Sequence, residues 1–126
     1  MKILIADGSR VMRQIVSRTL RQAGFSGHDV VEAADGRQAL EAVSAEEPDL
    51  VLSDWNMPEM NGLEFVTAVR ADQRLRSMTL MMVTTESEQS QIVRALAAGA
   101  HEYVIKPFPP EAIREKLALL GLVLAA

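Results

Sequence analysis

The sequence predicts a doubly wound α/β fold, a five-stranded parallel sheet with five helices, and three observations carry that prediction. Five short apolar runs alternate with five segments of helical periodicity. Three of the runs are apolar throughout, as strands covered on both faces are. The connections are short, as consecutive strand–helix–strand units in one sheet allow.

The first run, Ile3–Ala6, ends at Asp7. Met12, Ile15, Val16 and Leu20 then recur at helical spacing, with Arg10, Arg13, Gln14, Arg18 and Arg21 read as a solvated face. The second run, Val30–Ala33, follows Asp29 and contains Glu32, charges that an edge strand tolerates. Asp35 suits the N-cap of a second helix, whose buried stripe is Ala39, Leu40 and Val43 and which Pro48 stops. Leu50–Ser53 is the third strand, and Leu63, Val66 and Val69 form a third stripe behind Asn61-Gly62. Leu80–Val83 is the fourth strand, in which Met81 and Met82 read as core. Ile92, Ala95 and Leu96 form a fourth stripe ended by Gly99. Tyr103–Ile105 is short and polar-flanked, a second edge strand. Pro109 and Pro110 follow where a first helical turn accepts proline, ahead of Ile113, Leu117 and Leu120.

At 126 residues the chain reads as a single domain, 1–126, with no output domain after the fifth helix. An apolar content of 48% with 24% charged residues excludes disorder. Seventeen acids against 13 bases give a net charge of -4, which argues against nucleic acid as a partner. With no cysteine, a disulfide framework, a thiolate zinc site and thiol catalysis are excluded. The first apolar run breaks at Asp7, unlike a signal peptide, and no apolar stretch reaches the ~18 residues of a membrane span. The expectation is a cytoplasmic protein without membrane insertion.

Ligands of open parallel sheets bind at the carboxyl ends of the strands. The residues that follow strands one, three, four and five are Asp7, Asp54, Thr84 and Lys106. Two carboxylates on one rim invite a hard divalent cation, magnesium being the usual intracellular one. A cation there would also neutralise an incoming phosphoryl group. An aspartate can itself be the nucleophile, giving an acyl phosphate, and a reference pKa of about 3.9 keeps it ionised at neutral pH. Lys106 would supply a point charge to phosphoryl oxygens and Thr84 a hydrogen-bond donor. Lys106-Pro107 is a candidate cis bond, whose turn would aim the lysine back over the rim.

The blocks Asp54-Trp55-Asn56-Met57-Pro58-Glu59-Met60-Asn61-Gly62, Met82-Val83-Thr84 and Tyr103-Val104-Ile105-Lys106-Pro107-Phe108 resemble the signature of response-regulator receiver domains. The likeness runs along essentially the whole chain and is strongest to the stand-alone chemotaxis kind. It implies the flavodoxin-like strand order 2-1-3-4-5. It further implies that Asp54 accepts a phosphoryl group from the phosphohistidine of a histidine kinase. Mg2+ would be held by Asp7, Asp54 and the backbone carbonyl of Asn56. Thr84 and Lys106 would close on the phosphoryl group, and Tyr103 would turn inward behind Thr84. Thr85 and Glu86 fall where the family tunes phosphotransfer and dephosphorylation rates. Phosphorylation adds about -1.5 to -2 charge and would shift a pre-existing equilibrium of the face built from the fourth helix, fifth strand and fifth helix. Ile92, Leu96, Tyr103, Ile105 and Lys116 would line that face. Since no DNA-binding domain follows, the output would be protein contact, with a flagellar motor switch protein or another signalling protein as target. Such a receiver is a signalling module, catalysing only its own phosphotransfer and dephosphorylation.

One position departs from the resemblance. Gly8 stands where the family has a second acid that binds magnesium directly. Asp7 and Asp54 against Lys106 leave a net charge of -1, one less negative than usual, which predicts weakened Mg2+ binding. Ser9 is a candidate to support a water there, and the branched Thr85 would narrow access for phosphodonors. Two rival readings follow. A degenerate receiver would be a phosphorylation-independent interaction platform, with Gly8 as its support. An aspartate-nucleophile phosphatase of the haloacid dehalogenase type would need a second Asp where Asn56 stands, and a cap for which the chain has no room. A flavodoxin-like cofactor binder fares worse, because Asp7-Gly8-Ser9-Arg10 lacks a Gly/Ser/Thr-rich phosphate cradle. Trp55 reads as a partly exposed loop residue, and His28 and His101 as surface.

Overall fold

Parallel strands β1 (Lys2–Ala6), β2 (Asp29–Ala33), β3 (Leu50–Asp54), β4 (Leu80–Thr84) and β5 (Glu102–Ile105) form one sheet in the order β2-β1-β3-β4-β5. The computed structural model describes residues 1–25, 29–85 and 89–121, which include helices α1 (Arg10–Leu20), α2 (Gly36–Glu46), α3 (Gly62–Ala71), α4 (Gln89–Ala98) and α5 (Pro110–Leu119). The expected topology and both edge strands are therefore observed, each strand running one residue or so beyond its apolar run. None of the described helices is long and apolar enough to cross a membrane.

The alternation of strand side chains divides the core in two. Leu4, Val51, Leu80 and Met82 pack with Ala39, Val43, Phe65, Val66, Val69 and Ala95, on the side of α2, α3 and α4. Ile3, Ile5, Leu50, Leu52, Met81 and Val83 pack with Val16, Leu20, Ile113 and Leu117, on the side of α1 and α5. Both faces of the central strands are thus dry, which is why β1, β3 and β4 carry charge only at an end, Lys2 opening β1 and Asp54 closing β3. On the edge strand β2, Asp29, Val30 and Glu32 are exposed.

Local chemistry sets the helix starts. Ser9 and Asp35 cap α1 and α2 by accepting the N–H groups of Met12 (3.2 Å) and Gln38 (2.8 Å). Asn61 and Glu64 form a reciprocal capping box at α3. Gly62 is required by close approach, since a Cβ there would lie 2.4 Å from the carbonyl oxygen of Asp54. This contact draws the start of α3 against the end of β3. After α1 the chain makes a π-type turn, Arg21–Phe25, in which Gly24 takes φ 104°.

Three expectations are corrected. Trp55 is buried, 6% exposed, because the chain turns inward after β3 and the ring joins the α3-side core beneath Arg94, whose guanidinium lies 6.0 Å from the ring centroid. Ile15 is exposed, so the buried stripe of α1 is narrower than its spacing implied. Leu96, expected on the buried stripe of α4, is exposed. His28 lies outside the described residues.

Candidate functional site

Strand register delivers the site. β1 pairs with β3 through Ala6 and Ser53, β3 with β4 through Asp54 and Val83, and β4 with β5 through Thr84 and Ile105. Asp7, Asp54, Thr84 and Lys106 consequently line up along the carboxyl edge of the sheet. The Lys106 Nζ lies 3.1 Å from Asp7 Oδ2 and 3.2 Å from Asp54 Oδ1, and none of these side chains is more than 10% exposed. Asp54 Oδ1 also accepts the Trp55 N–H (2.8 Å), and Asp7 Oδ1 accepts the Ser9 N–H (2.8 Å). The Lys106 backbone N–H donates to the Thr84 carbonyl at 2.7 Å, and the Lys106-Pro107 bond is cis. Thr84 is buried, and its hydroxyl donates to the Thr85 carbonyl at 3.5 Å.

One ammonium serving two buried carboxylates leaves surplus negative charge. Burial pushes the Asp54 carboxyl above the ordinary 3.8; Lys106 opposes the rise and the Asp7 carboxylate adds to it. Burial works against the Lys106 ammonium, but Asp54 and Asp7 outweigh it and hold its pKa above the ordinary 10.5. This donor set fits Mg2+, which keeps several of its waters and takes only one or two carboxylates from a protein. The oxygens available are the carboxylates of Asp7 and Asp54, with the exposed Asn56 two residues beyond Asp54. Among the described residues no group of three or more His, Cys, Asp or Glu converges on a metal position. Gly8, exposed beside Asp7, adds no ligand.

Apart from Thr85, which adjoins Thr84, the remaining expected residues lie away from this cluster. Tyr103 is half-buried, with Lys116 Nζ 4.4 Å above its ring and 3.1 Å from Glu102 Oε1. Ile92, Ile105 and Thr85 are half-buried and Leu96 is exposed. Glu86 lies outside the described residues. Arg13 is a residue that sequence reasoning missed. Expected on a solvated face, it donates from Nη1 to the Asp7 carbonyl (2.7 Å) and from Nε to Glu32 Oε1 (2.9 Å). Only the pairing of β1 with β2 brings Glu32 to it, so no local pattern marked the contact. His101 is exposed overall, yet its Nδ1 accepts from the Leu80 N–H (3.1 Å) and faces Arg70 Nη2 (3.2 Å).

A 2-1-3-4-5 sheet carrying an Asp–Asp–Lys cluster on its carboxyl edge defines a receiver module. Residues 3–118 match the response regulator receiver domain family, and the chain belongs to it. It is 42% identical over 121 residues to the chemotaxis protein CheY1 of Helicobacter pylori, covering 95% of this chain and 96% of that protein. The solved chemotaxis response regulator CheY4 of Vibrio cholerae superposes with a TM-score of 0.81 at 39% identity, over 94% of this chain and 97% of that one. The receiver domain of a sensor histidine kinase from Pseudomonas aeruginosa, solved with magnesium coordinated in its active-site cleft, gives a TM-score of 0.81 at 25% identity, over 94% of each chain. The protein is a CheY-like receiver of two-component signalling, a signalling module rather than an enzyme.

Proposed function

We propose that Asp54 is the phosphoacceptor and that its phosphorylation switches a protein-binding face. The observation that carries this reading is Lys106 Nζ held 3.2 Å from Asp54 and 3.1 Å from Asp7 on the carboxyl edge of the sheet. A carboxylate oxygen of Asp54 attacks the phosphorus of a kinase phosphohistidine, the P–N bond breaks with its electron pair returning to the imidazole, and an acyl phosphate results. Lys106 would exchange a carboxylate partner for a phosphoryl oxygen, a charge-assisted contact. Thr84, whose carbonyl already holds the Lys106 backbone, would donate its hydroxyl to the same group. Magnesium, held by Asp7, Asp54 and the Asn56 carbonyl, would supply positive charge against the phosphoryl oxygens. The magnesium in the P. aeruginosa receiver supports that assignment.

Thr85 and Glu86 would set the lifetime of the acyl phosphate. Tyr103, on the strand that leads into Lys106, would move with it and alter a face lined by Ile92, Leu96, Ile105 and Lys116. The downstream partner would be a protein of the chemotaxis apparatus, such as a flagellar motor switch protein. Incubation with acetyl phosphate and Mg2+ should add one phosphoryl group to the intact mass, and Asp54→Asn should abolish the adduct. Gly8 favours a second reading, a phosphorylation-independent platform, and absence of any adduct at high Mg2+ would decide for it.

A further inference from the structure

Asp7 stands between two backbone restraints. Its N–H donates to the Ala33 carbonyl at 3.1 Å, and its own carbonyl accepts from Arg13 Nη1 at 2.7 Å. That carbonyl belongs to the peptide linking Asp7 to Gly8. Glycine has the widest conformational freedom of any residue, so this peptide plane would rotate more readily than one between two substituted residues. Uncompensated rotation about it would swing the following chain and the Ser9 N–H, which holds Asp7 Oδ1 at 2.8 Å, and so loosen the carboxylate. An exposed Arg–Glu pair is ordinarily worth little. This guanidinium, however, is only 13% exposed and uses two of its donors at once, on Glu32 and on the Asp7 carbonyl. Arginine's rigid fork suits that double task, and a lysine's point charge does not.

We infer that Arg13, anchored by Glu32, is a positioning residue for Asp7: it fixes the Asp7–Gly8 peptide so that the Asp7 carboxylate faces Lys106 and the cation without a neighbouring acid. The inference rests on the magnesium role proposed above. Arg13 touches neither metal nor phosphoryl group and acts through the backbone.

The test is a calorimetric titration with Mg2+ alone of the wild type, Arg13→Met, Arg13→Lys, Gly8→Ala and the double variant Gly8→Ala/Arg13→Met, with thermal midpoints measured alongside. Arg13→Met should weaken Mg2+ binding about tenfold or more, the usual scale for residues that orient a metal ligand. Arg13→Lys should fall nearly as far. Gly8→Ala is a tight fit, because its Cβ would lie 3.2 Å from the Pro58 Cδ, a ring carbon that must give by a few tenths of an ångström. In the double variant alanine should restore at least a third of the lost affinity on a logarithmic scale, by removing the freedom that Arg13 restrains. A merely structural arginine would lower the thermal midpoint without this recovery. Arg13→Met binding Mg2+ as the wild type does, or a double variant no tighter than Arg13→Met, overturns the inference and leaves the phosphoacceptor reading intact. A wild type with neither Mg2+ binding nor a phosphoryl adduct overturns both. If Arg13→Met does not fold, Glu32→Gln decides, with about a threefold loss expected and an unchanged affinity refuting.

Discussion

Replacing Gly8 by aspartate should have opposite effects without and with magnesium. The net charge of Asp7, Asp54 and Lys106 is -1, and the variant makes it -2. Two unit charges 4 Å apart repel by about 1 kcal/mol in water and about 4 kcal/mol at an effective dielectric of 20. Gly8 is exposed while Asp7 and Asp54 are buried, which places the cost near the lower figure, about 1 to 2 kcal/mol. Magnesium leaves any steric cost unchanged: the new Cβ would lie 3.2 Å from the Pro58 Cδ, which must give by a few tenths of an ångström with or without the metal. At about 4 °C per kcal/mol for a domain of this size, the variant should melt about 4 to 8 °C below the wild type in chelator. A third carboxylate that tightens Mg2+ binding tenfold is worth about 1.4 kcal/mol. At saturating Mg2+ the variant then gains that much more than the wild type through binding to the folded state, and the gap nearly closes. Thermal midpoints in chelator and across a Mg2+ series measure both effects, with Trp55 emission following the titration beside Asp54. Equal gains from Mg2+ in the two proteins would refute the claim that Gly8 limits metal binding.

Lys106→Met should cost about 3 kcal/mol in urea at neutral pH without magnesium, because it strips the cation from two buried carboxylates. Asp54→Asn on that background should recover much of the loss, and no recovery would mean that the lysine matters through packing. His101→Asn should flatten the acid limb of the stability profile. Burial, and then the Arg70 guanidinium, hold the imidazole below its ordinary 6.5, so the unfolded chain binds that proton more readily than the folded one. The stability that the neutral ring contributes is complete above about pH 6.5 and is lost as pH falls through the lower, folded value. Asparagine still offers an acceptor to the Leu80 N–H but takes no proton. Urea midpoints between about pH 7.5 and 5 should therefore fall less steeply in the variant, and parallel slopes would refute the assignment.

The two edge strands and the site were legible because both follow from where charge is tolerated, whereas the full order 2-1-3-4-5 came from the family resemblance. Burial on two faces leaves no place for a carboxylate within β1 or β3 except at the carboxyl end, so Asp7 and Asp54 stood out against their apolar runs. Glu32 was affordable only on an edge, which put β2 there. What escaped notice depends on tertiary partners. The burial of Trp55 needs the core beneath α4, and Arg94 above its ring lies 39 positions further along the chain. The half-buried Arg13 looked like its exposed neighbours Arg10 and Arg18 because helical periodicity locates a side chain on a face and not what that face meets. His101 carried no motif, and only its pairing with Leu80 across two strands gives its ring nitrogen a structural duty.

The same accounting of charge explains why the proposed switch would be directional. Before phosphorylation Lys106 is shared between two carboxylates and held by both. Phosphorylation would replace one negative charge at Asp54 by about -1.5 to -2, carried further out on the phosphoryl oxygens. The ammonium would then gain by following that charge, and Asp7 would be left to the metal. Lys106 continues directly from β5, and β5 carries Tyr103 and the Glu102–Lys116 pair that links it to α5. A displacement of one lysine therefore has a short covalent path to the proposed binding face, whereas Asp7, just after β1, has none. Metal and switch would thus draw on different arms of one cluster. On this reading a residue that steadies Asp7, as Arg13 is placed to do, tunes how often the site is charged without altering what the charged site does.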